Sequence, residues 1–374
     1  MIPATSIEQW AETWVGSEIV EEITLFRYSA PLTRPYHLSF GPLTHFRGCL
    51  VRARIGQSEY WGESTPLPGY GWETQEDVWL FLREACAGLP GLPAGRAFLE
   101  AAARGEGHPF ALTALLTALE GRYFQEAGQG GGACQATVAL SGETPAELAE
   151  DASRLCSLGY RTLKLKVGSG QIDDSQVAAG VLLRMPGDAV LRVDANQGLS
   201  LAQAEELWST LNHPKVAYLE QPFDQKDWDT LHRFMEKHPE ARVCLDESVW
   251  TEEHFNRALA IPGKVSVKLK LMKQTSAFQV ARMAQRLLAE GRMVIFGNGV
   301  QGDVGAWCEG VLYGGLGMRA AGEFNGFAKQ KQGLFRESPL LLAEGKISWS
   351  PWQGQWEAGE GWTGMVTEQL GFGR

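Results

Sequence analysis

The chain has 374 residues, 44% of them hydrophobic and 21% charged, enough for a large buried core and for about two to three domains at roughly 150 residues each. Its 44 acidic residues against 34 basic ones give a formal charge of −10, with no basic face to take up nucleic acid or an anionic membrane surface. The amino terminus has no basic or apolar leader pattern, the longest apolar stretch (around 110–119) is too short to span a bilayer, and six scattered cysteines form no C-x-x-C pair, so the expected setting is a reducing, cytoplasmic one.

In chain order, an amphipathic stretch over 7–15 reads as a short accessory helix. Glu22–Arg27, Phe46–Ile55 and Glu59–Gly62 read as strands, and 76–85 and 95–104 as helices, an α+β segment. A helix is expected over 111–126. The Gly-Gln-Gly-Gly-Gly run at 128–132 is a loop, since it lacks both the preceding strand and the following Lys-Ser/Thr of a phosphate cradle. Beyond Gly132 the pattern becomes regular. Apolar runs at 136–140, 162–167, 190–193, 216–219, 242–245, 265–271, 293–296 and 318–324 alternate with helical patterns such as 145–158, 201–211, 251–259, 276–290 and 304–313. Thr144 and Ser200 stand where N-caps belong. Eight strands with seven intervening helices is the count of a parallel (β/α) barrel. A doubly wound sheet alternates in the same way, but the number of units and the position of the charges favour the barrel. The tail from 345 onward is rich in Trp and Gly and is expected to pack back on the first segment.

Barrel strands are covered on both faces, so ionic side chains on them are costly. Here they recur at equivalent places. The second strand carries Lys164-Leu165-Lys166; the third, fourth and fifth end in Asp194, Glu220 and Asp246; the sixth carries Lys268-Leu269-Lys270. The three acids follow one another at intervals of 26 residues, one βα unit, and so converge at the C-terminal mouth where barrel active sites are built. A single acid at a strand end is commonly a helix cap or an ion-pair partner. Three at equal spacing repel one another unless a hard cation neutralises them, and all-oxygen ligation suits Mg²⁺, with Mn²⁺ able to substitute. Lys164 and Lys166 share one strand face, the barrel interior, and Lys166 and Lys270 then flank the metal from opposite sides. A small-molecule carboxylate bound to such a metal has a more acidic α-proton, and a buried lysine beside a cation can act as a neutral base. The expected chemistry is proton abstraction α to a carboxylate, leading to elimination, racemisation or cycloisomerisation.

With the lysines and acids in this order, the chain resembles the enolase superfamily and, by its K-x-K second strand, the muconate-lactonising-enzyme subgroup. The resemblance covers nearly the whole chain. It implies an α/β fold, a modified TIM barrel (β/α)7β over residues 109–345, with an N-terminal α+β capping domain (1–108) and a C-terminal segment (346–374) returning to the cap. Gly62-Glu63-Ser64-Thr65-Pro66-Leu67-Pro68-Gly69-Tyr70, followed by Glu73-Thr74, is similar to a loop of the o-succinylbenzoate synthase family. Gly297-Asn298-Gly299-Val300-Gln301 is similar to a seventh-strand segment in part of that family. Substrate-binding roles for Pro68, Gly69, Tyr70, Asn298, Gly299 and Val300 are thereby implied.

The implied reaction is the Mg²⁺-dependent syn dehydration of 2-succinyl-6-hydroxy-2,4-cyclohexadiene-1-carboxylate to o-succinylbenzoate, a step toward menaquinone or phylloquinone. By the same resemblance Lys166 removes the α-proton and then protonates the departing hydroxyl, while Asp194, Glu220 and Asp246 hold the metal. Lys270 stabilises the planar dienolate from the other face by a cation–π contact. Lys164 supports Lys166, and Asn196, Gln221 and Glu247 stand behind the metal ligands. Related sixth strands carry one Lys followed by Pro, whereas this one reads Lys268-Leu269-Lys270-Leu271. Lys270 lies about one βα unit beyond Asp246 and is preferred; Lys268 also faces inward and stays open. The nearest rivals use the same site: N-acylamino-acid racemisation, dipeptide epimerisation and muconate cycloisomerisation. Racemisation needs bases on both faces, and both lysines are present.

Overall fold

Alternating apolar residues over 20–64 form an antiparallel meander of β1 (Val20–Leu38), β2 (Gly41–Ile55) and β3 (Ser58–Ser64). Between Ile55 and Ser58 the chain reverses through Gly56 at φ +57, the left-handed conformation a tight hairpin turn requires. The structure is a computed structural model and describes residues 6–38, 41–105, 107–170, 172–297, 299–351 and 356–373. The β1–β2 ladder runs well past the expected strand 22–27, through the pairs Tyr36↔Leu43 and Leu38↔Gly41. Thr33, Arg34 and Pro35 break the apolar alternation there, because this arm leaves the core and is held by ladder bonds and by the segment behind it.

Beyond Gly132, β4 (Gly132–Gln135) leads into the parallel strands β5 (Thr137–Ala139), β6 (Thr162–Lys166), β7 (Val190–Asp194), β8 (Val216–Glu220), β9 (Arg242–Leu245), β10 (Lys264–Leu269) and β11 (Val294–Phe296), which neighbour one another in chain order. Helices Pro145–Ser157, Asp174–Arg184, Leu201–Leu211, Trp228–Lys237, Glu252–Ala260, Ala277–Ala289 and Asp303–Gly315 follow the strands in turn. Thr144, Asp173, Ser200, Asp227, Thr251 and Ser276 each accept a bond from an amide of the first turn, as N-caps do. The expected eighth strand, 318–324, is only an extended segment with one bridge, Ala136↔Gly322. It still closes the ring: Thr137 N donates to Gly322 O, and Glu323 N donates to Phe296 O. One bonded pair on each side is too short for a ladder. The architecture is therefore a (β/α)7β barrel with a capping domain.

β4 pairs with β13 (Lys346–Trp349), which pairs with β12 (Leu340–Ala343), at the end of the barrel away from the mouth. The chain then returns to the cap, where β14 (Val366–Gly373) lies antiparallel on β1.

Cap and barrel meet through buried carboxylates. The expected helix 111–126 is split at Glu120 into Pro109–Leu119 and Gly121–Ala127. The Glu120 carboxylate accepts from Ala277 N (2.8 Å), Phe278 N (3.1 Å) and the indole of Trp10 (2.9 Å). Helices Pro109–Leu119 and Asp303–Gly315 have no side-chain cap of their own. Glu73 supplies the first, accepting from Phe110 N at 2.6 Å, and Glu63 the second, accepting from Gly302 N at 2.7 Å and Gly305 N at 2.9 Å. Gly62 lets the helix 109–119 pass directly over β3: a Cβ there would sit 1.9 Å from Ala114 O. Among the described residues no helix is long and apolar enough to cross a membrane.

Candidate active site

The parallel register sets Lys166 beside Asp194 and Asp194 beside Glu220, so neighbouring strands deliver their ionic residues at one level. Above them lies a cavity of about 350 Å³, lined from the cap side by the β1–β2 arm through Tyr36 and by the loop after β3 through Leu67, Gly69 and Tyr70. That size is in the range of small-ligand sites.

The acids are held by ammonium groups. Lys164 Nζ stands 2.7 Å from Asp194 Oδ2 and 3.1 Å from Glu220 Oε1. Lys268 Nζ, 1% exposed, stands 2.5 Å from Glu220 Oε1 and 2.8 Å from Glu323 Oε2. Asp246 takes Lys270 on one oxygen at 2.7 Å and Lys273 on the other at 2.9 Å. Tyr70 joins this pair: its hydroxyl donates to Asp246 Oδ1 at 2.8 Å and lies 2.7 Å from Lys270 Nζ, which sits 4.2 Å from the ring centre. Lys166 differs. It reaches the cavity, and among the described residues it has no ion-pair or hydrogen-bond partner.

Burial acts on all these groups, and the neighbouring charges decide the direction. Burial would raise the Asp246 carboxyl, but Lys270, Lys273 and Lys268 hold it well below the usual range. Glu323 is likewise held well down by Lys164, Lys268 and Arg192 against its burial. Glu220 goes up, because burial and the adjacent Asp194 outweigh Lys164 and Lys268. Burial, with Asp246 and Asp194 nearby, pushes Glu247 up to about 7. Burial opposes the charge of Lys164, yet Asp194, Glu220 and Glu323 keep it firmly cationic.

Among the described residues no three His, Cys, Asp or Glu side chains stand in a metal-holding arrangement, since the lysines engage them. The residues nevertheless suit a hard cation. The floor donors, Asp194, Glu220, Asp246 and Glu247, are all oxygen. Glu220 Oε2 and Glu247 Oε2 are buried without a partner among the described residues, two acceptors that a divalent ion of the Mg²⁺ type would satisfy.

Of the residues singled out in the sequence, Lys164, Lys166, Asp194, Asn196, Asp246, Glu247, Lys268 and Lys270 line the cavity, as do Gly69, Tyr70, Gly299 and Val300. Glu220 lies beneath the floor, fully buried. Asn196 donates to Glu247 Oε1 at 3.2 Å. Gln221 is a brace: in a left-handed conformation (φ +37), it accepts from Asp246 N and Ser248 N and so orients the turn after β9. Pro68 is exposed and lines a neighbouring groove instead of this cavity. Asn298 lies outside the described residues.

Five further site residues carried weaker signals. Arg192 stands two residues before Asp194 on the same face and reaches Glu323 at 3.0 Å. Glu323 sits inside the eighth apolar run, and Lys273 lies just past the sixth. Tyr36 and Lys329 stand in polar segments without periodicity, where no pattern marks them.

Residues 147–317 match the family described as Enolase C-terminal domain-like. A dipeptide epimerase from Cytophaga hutchinsonii, solved with Mg and D-Ala-L-Val, superposes with a TM-score of 0.81 at 21% identity, over 95% of this chain and all of that one. An o-succinylbenzoate synthase of Pectobacterium atrosepticum is 25% identical over 289 residues, 76% of this chain and 84% of the relative. An N-succinyl-L-Arg/Lys racemase of Bacillus cereus is 26% identical over 185 residues, and the match spans 48% of that relative's length. The likeness is to the enolase superfamily, and at similar identity it extends to proteins named for three reactions.

Proposed function

From the enolase-superfamily fold, with residues 147–317 in the enolase C-terminal domain-like family, we propose that this chain is an o-succinylbenzoate synthase, dehydrating 2-succinyl-6-hydroxy-2,4-cyclohexadiene-1-carboxylate in menaquinone or phylloquinone biosynthesis. The supporting observation is the inequality of the two lysines at the mouth. Lys166 is unpaired among the described residues, while Lys270 is held against the Tyr70 hydroxyl at 2.7 Å and 4.2 Å from the centre of its ring. One unpaired lysine facing one held lysine suits a one-base elimination. A two-base racemisation asks for two amines that exchange protons equally.

In this reading Lys166 takes the proton α to the ring carboxylate and returns it to the hydroxyl leaving from the same face. Lys164 cannot share that work, because three carboxylates keep it cationic. Lys270 presents its charge to the opposite face of the planar intermediate. Lys268 is buried between Glu220 and Glu323, which favours Lys270 as the sixth-strand catalytic lysine. Asp194, Glu220 and Asp246 would hold Mg²⁺, with Mn²⁺ able to substitute; when bound, the ion supplies counter-charge to the carboxylate from which the proton leaves. Gly69 and Tyr70 of the cap loop and Gly299 and Val300 after β11 would bound the substrate.

A second reading, racemisation of an N-acylamino acid or epimerisation of a dipeptide, rests on Lys166 and Lys270 lining one cavity. The test is a side-by-side assay of purified protein with Mg²⁺ on the cyclohexadiene carboxylate, an N-succinylamino acid and a dipeptide. The expected kcat/KM is highest for the first. Faster turnover of either of the others removes the dehydratase assignment.

A further inference from the structure

The acids of the site stand on β7, on β8 and just after β9, the third to fifth positions of an eight-membered ring. Directly across the mouth, beyond β11 and the closing segment, stands Lys329. Its ammonium donates to Gly299 O and to Asn325 Oδ1 (3.1 Å) and lies 4.6 Å from the centre of the Tyr36 ring. All three partners are neutral. Lys164, Lys268 and Lys270 each meet a carboxylate in the same cavity, but among the described residues Lys329 meets none. An ammonium drawn from water and held only by neutral acceptors is costly unless an anion completes it.

The place is built to hold that ammonium. The β1–β2 arm is tied to the segment behind it by Lys331 N donating to Pro31 O (2.8 Å) and by the Thr33 hydroxyl donating to Lys329 O (3.0 Å). Gly299 leaves the space: a Cβ there would sit 2.9 Å from Lys329 Nζ and 3.6 Å from the Tyr36 hydroxyl. That hydroxyl can donate a second bond. Lys329, foremost, with Lys166, Lys164 and Lys270, draws the Tyr36 phenol below its ordinary value despite burial, so positive field pervades this end of the cavity.

We propose that Lys329 and the Tyr36 hydroxyl form an anion site for a second, distal carboxylate of the substrate, so that a succinyl-type side chain is selected over the corresponding neutral acyl group. The inference rests on the proposed function only in taking the first carboxylate to sit at the acid side. It names Lys329 as a specificity-determining residue, and the bridging ligand as a dicarboxylate.

The test is calorimetric titration in Mg²⁺ buffer with two matched pairs: o-succinylbenzoate against 2-butyrylbenzoate, and N-succinyl- against N-butyryl-phenylalanine. Within each pair only the distal carboxylate changes. The expected result is about tenfold or greater preference for the dicarboxylate in at least one pair. Lys329→Met should bring that preference close to one, Lys329→Arg should keep most of it, and Tyr36→Phe should reduce it. Should Lys329→Met not fold, the Arg and Phe variants carry the same comparison. No preference in the wild type, an undiminished preference in Lys329→Met, or equal weakening of both members of a pair overturns the inference. A preference confined to the N-acyl pair upholds Lys329 and removes the dehydratase reading. Binding of the benzoates with no preference in either pair removes Lys329 and leaves that reading standing.

Discussion

Two sets of buried carboxylates in this protein are made of the same residue types and end in opposite states. At the mouth, Asp246 and Glu323 are compensated by ammonium and guanidinium groups and are held well below the usual carboxylate range. At the seam between cap and barrel, Glu63, Glu73 and Glu120 are compensated by helix N-terminal amides, and burial wins: Glu63 is raised, Glu73 rises to about 7 and Glu120 to about 8. Amide dipoles satisfy the oxygens' geometry, but each helix end supplies only about half a charge. The seam acids thus serve as hydrogen-bonding struts able to hold a proton. At the mouth only burial and neighbouring acids push Glu220 and Glu247 up, and the unpartnered oxygens of these two are the ones a cation would satisfy. Full counter-charge therefore separates Asp246 and Glu323 from the three seam acids.

The sharpest way to break this division is at Lys166, which meets no carboxylate among the described residues. Lys166→Ala should lower kcat by on the order of 10⁴-fold, the upper range for removal of a general base, with little change in melting temperature because no ion pair is lost. Single-turnover kinetics and a melting curve on the same preparation check both halves. A large drop in stability would mean that Lys166 belongs to the structural network after all. Lys268→Met should behave in the reverse way. It strips one ammonium from Glu220 and Glu323 deep in the barrel, and breaking a buried pair costs about 3–5 kcal/mol. Urea unfolding reads that loss directly. If Lys268→Met is stable but inactive while Lys270→Ala is near normal, the catalytic lysine of the sixth strand is Lys268.

How much of this was legible in the sequence follows from which interactions repeat. Asp194, Glu220 and Asp246 could be read because each βα unit resets the register, so a spacing of 26 residues translates into one level of the barrel. That Lys268 and Lys270 both face inward was equally readable from strand period, but not their depth, which depends on Glu323 reaching in from the closing segment. Motif resemblance drew attention to Glu63 and Glu73, and their work proved to be capping helices that lack caps of their own. The break at Glu120 had only one local sign, Gly121 beside it. Its cause is a helix start more than 150 residues away, and helix propensity is blind to a partner at that distance. Tyr36 and Lys329 were invisible for the same reason: both sit in polar stretches, and only the tertiary fold turns them toward the cavity.

A smaller effect sharpens the other side of the comparison. Glu120 has an ordinary value of 4.5 when exposed and about 8 when buried in the native seam, so the folded state binds the proton more tightly than the unfolded state. Its contribution to stability is complete below pH 4.5 and is lost as the pH rises through about 8, at a slope of at most about 1.4 kcal/mol per pH unit. Glu309, raised to about 8 by the same burial, adds a slope of its own, so the wild-type curve alone cannot identify Glu120. The difference between two proteins can. In Glu120→Gln the side chain no longer titrates, while its amide nitrogen meets the Ala277 N–H that Oε2 accepted, a fixed penalty independent of pH. Wild type should therefore be the more stable protein at pH 6, and the gap should narrow steadily toward pH 8, measured as unfolding free energies in urea at matched ionic strength. A gap that stays constant across that interval would mean Glu120 is charged in the native seam and that two helix amides and one indole suffice to hold a buried carboxylate anionic. The contrast between seam and mouth would then lie in access to a cation alone.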